Sequence, residues 1–354
     1  MDAIPHFAKQ FFRADVDIQR PCPRYKLLKQ GFVFMLPLSH FGSSIHIISY
    51  RRSRVNPPWA QKSITCKKKV AWYVIPMIKN ILVPLDGSDH SRAALDYGLW
   101  LTEKFNGALF GQHVIDTVSI EGTFFHDISG SLGFEPYLDF STKMREVLEE
   151  RGKAILEEFS QRCKQKGIRF ETFLDMGIIS NEICERSKVA DLVVLGHRGI
   201  NEEFSTGLLG GTAESVTRKC PRPVLVSTKR FKEIERPLLA YDGSQRSSSA
   251  MESAAEFCTQ LRLPLTVLYV PKEEKTGERV LQEARSYLGA YGVETRYELG
   301  RGYPEQKIID YLVNFNYDLL FIGAYGHRRI IEMVLGSTTE YVLRKSPCPV
   351  FLTR

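Results

Sequence analysis

The sequence lacks the local motifs of the common nucleotide-dependent and metal-dependent enzymes. It contains no Gly-x4-Gly-Lys-Ser/Thr phosphate loop, no Gly-x-Gly-x-x-Gly turn and no His-Glu-x-x-His pair. It also lacks a Cys-x-x-Cys pair, and its 7 cysteines are odd in number and widely spaced. This pattern argues against a disulfide framework or a zinc site and favours reduced thiols in a cytosolic protein. We therefore predict a cytoplasmic location and no catalytic or metal-ligating residues.

Most of the chain lacks an excess of charge of either sign. The formal net charge of +7 comes from residues 1–76, which hold 13 basic and 3 acidic residues. The remaining chain holds 35 basic and 38 acidic residues and is mildly acidic. A basic groove for nucleic acid is therefore not predicted, and nucleic acid is not expected as a partner.

The basic N-terminal extension, residues 1–76, has no sustained hydrophobic period. Its uncharged stretch, Gln30–Tyr50, is interrupted by Pro37, Gly42 and several polar residues. A membrane helix needs about 20 predominantly apolar residues, so no membrane anchor is predicted. A transit peptide is a second interpretation, which the three acidic residues disfavour. We expect the extension to be dispensable, or Met77 to be the true start.

From Met77 onward the chain repeats itself. Three segments of the first copy reappear in the second: Ile81–Ser88 as Pro237–Ser244, Asp191–Gly196 as Asp318–Gly323, and Cys220–Val226 as Ser346–Leu352. Two copies of one supersecondary pattern predict two similar domains, residues 77–232 and 236–354.

Short apolar runs alternate with amphipathic helical patterns in both copies, which predicts an α/β fold whose parallel sheet is covered on both faces. In the second copy the predicted strands are 237–242, 265–270, 293–299, 318–323 and 349–353. The predicted helices are 247–261, 278–291, 304–315 and 336–345. The first copy carries an insertion at about 117–141, for which a lid and a dimer contact both remain open.

In such a sheet, ligands bind beyond the carboxyl ends of the strands. Asp242 ends the first strand of the second copy, and its carboxylate can accept hydrogen bonds from ribose hydroxyls or an adenine amino group. The alternative is that Asp242 only caps the following helix.

A glycine motif is predicted to lie at the same carboxyl edge of the sheet as Asp242. Gly323 ends a predicted strand, Gly326 follows after two residues, and Gly336-Ser337 opens the last helix after nine more. Glycine lets backbone approach a phosphate closely, and a helix N-terminus offers unpaired N–H donors. This spacing predicts a phosphate site.

These motifs resemble those of tandem universal stress proteins, over residues 77–354. The resemblance implies two doubly wound, five-stranded parallel-sheet domains of the adenine nucleotide alpha hydrolase-like type, each with strand order 3-2-1-4-5. It also implies ATP, alone or with Mg²⁺, as the ligand. The nucleotide-binding residues that it implies are Ala240, Asp242, Val270, Gly323, Gly326, Gly336, Ser337 and Thr338.

The first copy departs from this pattern, because ten residues separate Gly199 from Gly210 and Gly211 stands where a hydroxyl is expected. A weaker second site is therefore predicted. Its residues are Pro84, Asp86, Val114, Gly196, Gly199 and Gly210. The nearby loop residues are interpreted as a solvated face rather than as phosphate ligands. They are His197, Arg198, His327, Arg328 and Arg329.

The resemblance implies an ATP-binding stress-response protein that acts as a sensor or regulatory module. Because the sequence offers no recognisable base to activate water, hydrolysis is expected to be slow at most. The alternative is a nucleotide-independent dimerisation or interaction module. An adenylating enzyme is a third option, which the absence of a Ser-Gly-Gly-x-Asp-Ser loop disfavours. The final strands, Pro223–Thr228 and Pro349–Thr353, are apolar edges that are expected to pair within the chain. The alternative is that each edge pairs with another chain in a higher oligomer, and a homodimer is the other partner left open.

Overall fold

The computed structural model describes residues 78–117, 137–199, 211–271, 277–324 and 336–354. The strands in these ranges are β1 (Asn80–Pro84), β2 (Ala108–Asp116), β3 (Arg169–Gly177), β4 (Leu192–Gly196), β5 (Val224–Ser227), β6 (Pro237–Ala240), β7 (Leu265–Tyr269), β8 (Thr295–Leu299), β9 (Leu319–Gly323) and β10 (Val350–Thr353). The helices are α1 (Asp89–Phe105), α2 (Tyr137–Gln165), α3 (Ile179–Arg186), α4 (Gly211–Lys219), α5 (Gln245–Leu261), α6 (Gly277–Leu288), α7 (Pro304–Asn314) and α8 (Ser337–Lys345).

Several predicted features lie outside the described residues. They are the extension 1–76, most of the insertion at 117–141, Gly210, Gly326, His327, Arg328 and Arg329. None of the helices in the described ranges is long and apolar enough to cross a membrane.

The strands form one sheet of ten, in the order β3-β2-β1-β4-β5-β10-β9-β6-β7-β8. All neighbouring strands run parallel except β5 and β10, which are antiparallel. The α/β class and the parallel character agree with the sequence prediction. The prediction named two five-stranded sheets, whereas the structure has one continuous sheet of ten strands, because the backbone groups of the two final strands pair with each other.

The joint between β5 and β10 confirms the predicted pairing of the final strands. Val226 pairs with Val350, and Val224 pairs with Leu352. All four side chains are at most 3% exposed. Across the joint, the ring of Phe257 packs edge-on against Phe105 of the first copy at 5.6 Å between centroids. The two apolar strands that would each lie at the edge of their own copy are thus buried against each other.

Helices cover both faces of the sheet because successive residues of each strand point to opposite faces. In β1, Ile81 and Val83 pack in the core beneath α1, α2, α5 and α6. Leu82 packs in the opposite core, beneath α3, α4, α7 and α8. This arrangement leaves the carboxyl ends of the strands at the edges of the layers, where the predicted site residues lie.

The aspartates that precede β4 and β9 have the same structural role in the two copies. Asp318 is 4% exposed and accepts hydrogen bonds from the backbone N–H groups of Glu235 at 3.0 Å and Arg236 at 2.8 Å. Asp191 accepts equivalent bonds from Lys79 and Asn80 at 2.9 and 2.8 Å. Each carboxylate therefore fixes the residues where the first strand of its own copy begins.

We expect Asp318→Ala to lower the free energy of unfolding by about 1–3 kcal/mol, because the backbone N–H groups of Glu235 and Arg236 lose their charged acceptor. Urea unfolding measures this loss. The matched control is Asp310→Ala, whose carboxylate is 52% exposed and forms a surface pair with Lys307; such pairs contribute about 0–1 kcal/mol. Equal losses in the two variants would contradict the anchoring role of Asp318.

Candidate functional site

The first strand of the second copy leads into its helix through an Asp-Gly-Ser turn. Asp242 Oδ1 accepts a hydrogen bond from the N–H of Ser244 at 2.9 Å. Gly243 has φ +78°, a left-handed conformation that favours glycine. Ser244 is the N-cap of α5, because its Oγ accepts a bond from the N–H of Ser247 at 3.2 Å. The alternative prediction that Asp242 caps the helix is therefore wrong, and its exposed carboxylate lies at the carboxyl edge of the sheet.

The first copy builds the same turn. Asp86 Oδ1 accepts from the N–H of Ser88 at 2.9 Å, and Gly87 has φ +83°. Ser88 caps α1 by accepting from the N–H of Ser91 at 3.1 Å. Asp86 and Asp242 thus hold equivalent positions, each held by a hydrogen bond within its own turn.

The first glycine of each phosphate motif lies against the start of the first helix of its copy. A Cβ at Gly323 would come within 2.6 Å of the carbonyl carbon of Arg246 and 2.8 Å of the nitrogen of Ser247. A Cβ at Gly196 would lie 2.8 Å from the carbonyl carbon of His90. Real Cβ atoms do not approach backbone this closely, so both positions require glycine for packing. The packing brings the end of β9 next to the turn that carries Asp242.

The last helix begins beside the same strand end. Gly336 is the N-cap of α8, with φ −60° and ψ 144°, and no side chain in the described part of the chain caps this helix. Thr339, in the first turn, donates its hydroxyl to the carbonyl of Gly323 at 3.3 Å. The start of α8 therefore brings N–H donors that have no partner within the helix, and the positive end of the helix dipole, to the end of β9.

Ala240 and Val270 complete this edge in the second copy. Ala240 ends β6 and pairs with Leu268 on one side and Ile322 on the other. Val270 directly follows β7 and is 8% exposed. Because β6, β7 and β9 are parallel, these residues share the carboxyl edge of the sheet. The predicted residues of the second copy that the structure describes lie at this edge: Ala240, Asp242, Val270, Gly323, Gly336, Ser337 and Thr338. Their role in binding stays a prediction.

The first copy brings its loop to the equivalent aspartate. A Cβ at Gly199 would lie 2.8 Å from Asp86 Oδ2, so this glycine allows the loop to approach the carboxylate. Pro84 ends β1 opposite Gln112, and Val114 lies opposite Asp175 on β3. Helix α4 begins at Gly211, one residue farther from its strand end than α8 is from Gly323.

Beneath the edge, the two copies differ in polarity. Gln112 is fully buried and donates its amide to Asp175 Oδ2 at 2.8 Å and to the carbonyl of Glu182 at 3.2 Å. Asp175 is in turn held by Arg186 at 2.6 Å. The register places Leu268, an apolar residue, at the corresponding position of the second copy. Sequence reasoning missed this network, which only the strand pairing reveals.

The prediction that His197 belongs to a solvated loop face is wrong, because its side chain contacts another helix. Its Nε2 lies 2.9 Å from the carbonyl oxygen of Leu343 in α8, within hydrogen-bonding distance. Its ring centroid is 6.4 Å from that of the buried His90. The loop of the first copy therefore contacts the last helix of the second. No local sequence signal could show this, because the contact depends on the β5–β10 joint.

Comparison with known proteins agrees with this repeated architecture. The family model described as "Universal stress protein family" matches residues 77–228 and 233–354. The chain is 30% identical over 287 residues to universal stress protein Slr1230 of Synechocystis, covering 78% of this chain and 100% of that protein. It is also 30% identical over 159 residues to universal stress protein MJ0531 of Methanocaldococcus jannaschii, covering 44% and 86%.

Solved structures agree in fold. A universal stress protein from Archaeoglobus fulgidus is similar with a TM-score of 0.62 at 24% identity, covering 78% of this chain and 98% of that chain. The functionally unknown protein PA1789 from Pseudomonas aeruginosa is similar with a TM-score of 0.56 at 17% identity, covering 79% and 93%. At these identities the likeness shows the fold alone.

Proposed function

Because the chain belongs to the universal stress protein family, we propose that it is a nucleotide-binding regulatory protein that holds ATP mainly in its C-terminal domain. We propose residues 77–232 and 236–354 as its two domains. The observation that carries the proposal is the start of α8, where no described side chain caps the helix at Gly336 and Thr339 joins the helix to Gly323. Phosphate groups are favourable ligands at such a helix start.

The surrounding residues fit the other parts of a nucleotide. The backbone of Gly336, Ser337 and Thr338 would hold the triphosphate, together with Gly326. Asp242 is an exposed hydrogen-bond acceptor at the same edge and would contact the ribose or the adenine. Val270 and Ala240 would flank the base with apolar surface. ATP, alone or with Mg²⁺, is the proposed ligand.

A regulatory role is proposed rather than rapid turnover. Efficient hydrolysis needs a positioned residue that orients or deprotonates the attacking water. The sequence motifs supply a phosphate cradle and a ribose contact but no recognisable base for that step. ATP is therefore expected to be held, and hydrolysed slowly at most.

The difference between the two copies supports assigning ATP mainly to the second. In the first copy the loop is one residue longer before its helix, and Gly211 takes the place of Ser337. An extra residue redirects the N–H groups of a phosphate loop. In addition, the first copy has the polar, hydrogen-bonded Gln112 at the buried position where the second copy has the apolar Leu268.

The second candidate function is a nucleotide-independent interaction module. The observation that favours it is the contact of His197 with Leu343, which uses the loop of the first copy to join the two copies. Analysis of nucleotides extracted from freshly purified, denatured protein separates the two functions. Recovered ATP supports the first, whereas its absence together with no ATP binding in a titration supports the second.

We expect Asp242→Ala to weaken ATP binding by about tenfold or more, because a hydrogen bond to a charged group contributes about 1.5–3 kcal/mol. Asp86→Ala is the matched control, since it removes the same turn bond from the other copy. It should leave the affinity of the main site nearly unchanged. Isothermal titration calorimetry measures both affinities, and a larger loss in Asp86→Ala would place the main site in the first copy.

A further inference from the structure

The linker between the two copies borders a cavity that none of the described nucleotide-site residues lines. The cavity has a volume of about 520 Å³, within the range of about 300–1,000 Å³ that is typical of small-molecule sites. It is lined by linker residues 228–232, by Tyr97 of α1, by residues at the end of α7 and by residues 347–349. Because 347–349 precede β10, the cavity lies at the edge where the strands of the second copy begin, opposite to the edge that holds Asp242.

Hydrogen bonds fix the backbone of the linker where it borders the cavity. The N–H of Lys232 donates to the hydroxyl oxygen of Tyr97 at 3.1 Å, and Tyr97 is fully buried. The hydroxyl of Thr228 donates to the carbonyl of Arg230 at 2.9 Å. The linker therefore presents its side chains from an ordered backbone, which lowers the entropic cost of binding a ligand.

Apolar and aromatic side chains form one part of the cavity wall. The ring of Phe231 packs edge-on against Tyr97 at 4.8 Å between centroids, yet Phe231 is still 37% exposed. Val313, at the end of α7, also lines the cavity and is 55% exposed. These two side chains offer apolar surface that a flat ring system can cover, and aromatic rings pack favourably against phenylalanine.

Three cationic residues of the same linker also line the cavity. Lys229, Arg230 and Lys232 lie within four consecutive residues, and all three are exposed. Within the described part of the chain, neither Arg230 nor Lys232 forms an ion pair with a carboxylate. Asp318 is the acidic residue of the lining, and its two oxygens already accept linker N–H groups. The excess of positive charge around the cavity favours an anion.

The acidic residues of the linker do not cancel this charge at the cavity. Glu233 pairs with Lys104 at 3.2 Å, and neither Glu233 nor Glu235 lines the cavity. Burial raises the pKa of the Cys348 thiol in the cavity wall to about 12, and the positive charge of Lys232 acts in the opposite direction. The charge of Lys232 is therefore felt at the wall of the cavity.

We propose that this cavity binds a small aromatic acid, a flat apolar ring system that carries one carboxylate, sulfonate or phosphate group. The rings pack against Phe231 and Val313, and the anionic group is held by Arg230 and Lys232. Charge-assisted hydrogen bonds to such a group are stronger than neutral ones. The site lies at the opposite edge of the sheet from Asp242, so it is independent of the proposed ATP site.

The test uses the full-length chain and 8-anilinonaphthalene-1-sulfonate, an aromatic sulfonate whose fluorescence rises when it binds an apolar site. We expect saturable binding, with an affinity that saturating ATP leaves unchanged. The matched neutral probe is N-phenyl-1-naphthylamine, which has the same rings without the sulfonate. It should bind at least tenfold more weakly, because the cationic side chains have no anion to hold.

A reversal of charge tests the role of the cations. Arg230→Glu/Lys232→Glu should weaken binding of the sulfonate at least tenfold. The matched control is Lys153→Glu/Arg296→Glu, which makes the same change of charge at exposed residues that do not line the cavity. This control should bind the sulfonate as the wild type does. Circular dichroism checks that both variants keep the fold.

A filled cavity tests the site without changing its charge. Val313→Trp places a large side chain in the cavity wall and should also weaken binding at least tenfold. Val147→Trp is the control, because Val147 is 59% exposed on α2 and does not line the cavity. Wild-type affinity for the sulfonate in Val313→Trp, or equal affinity of the wild type for the two probes, would overturn the proposal. So would a wild-type chain that does not bind the sulfonate, or one from which ATP displaces it.

Discussion

Gly336→Val should lower the affinity of the chain for ATP by more than about tenfold, a loss above about 1.4 kcal/mol, while the protein stays folded. The added side chain would stand between the first N–H groups of α8 and the phosphates that the proposal places there. The backbone at Gly336 has φ −60° and ψ 144°, which valine adopts without strain. Isothermal titration calorimetry measures the affinity, and circular dichroism checks the fold.

The matched control for this variant is Gly211→Val. Gly211 begins the equivalent helix of the first copy, and an added Cβ there would meet no atom of the described residues within 4 Å. Its affinity for ATP should stay close to that of the wild type. If Gly336→Val bound ATP as tightly as the wild type, the start of α8 would not be the phosphate site.

The double variant Val224→Lys/Val226→Lys should have the largest effect on stability. These side chains are 3% and 2% exposed at the joint between the two copies. Burying an unpaired ammonium costs several kcal/mol, so two of them approach the total stability of about 5–15 kcal/mol typical of a folded protein. We expect an unfolded or aggregated chain, measured by circular dichroism and size-exclusion chromatography.

A second pair of lysines controls for the change of charge. Val147 and Val189 are each 59% exposed, so Val147→Lys/Val189→Lys adds the same two charges at the surface. This variant should keep the hydrodynamic radius and the melting temperature of the wild type. Wild-type behaviour of Val224→Lys/Val226→Lys itself would show that the β5–β10 joint is not needed for the fold.

Local patterns predicted the helices and strands well. The predicted helix 304–315 corresponds to α7 at Pro304–Asn314, because a proline suits the first turn of a helix. The predicted strand 265–270 corresponds to β7 at Leu265–Tyr269. The pairing of the final strands could be predicted from their apolar character, because an apolar strand at the edge of a sheet needs a partner.

The rest depended on contacts between distant residues. Gly323 could be assigned to a motif, but its packing against Arg246 requires the arrangement of β9 and α5. The bond between His197 and Leu343 requires the β5–β10 joint, and the Gln112 network requires the register of β2 against β3. Such contacts leave no periodic pattern in the sequence, so sequence reasoning could propose the site but not the structure that supports it.

Native mass spectrometry of the full-length chain, before and after addition of ATP, is the most direct test of ATP binding in the second copy. We expect one tightly bound ATP per chain in the wild type, retained in Asp86→Ala and lost in Gly336→Val. A chain that binds no ATP at any concentration tested would contradict it. So would a single bound ATP that is lost in Asp86→Ala and retained in Gly336→Val.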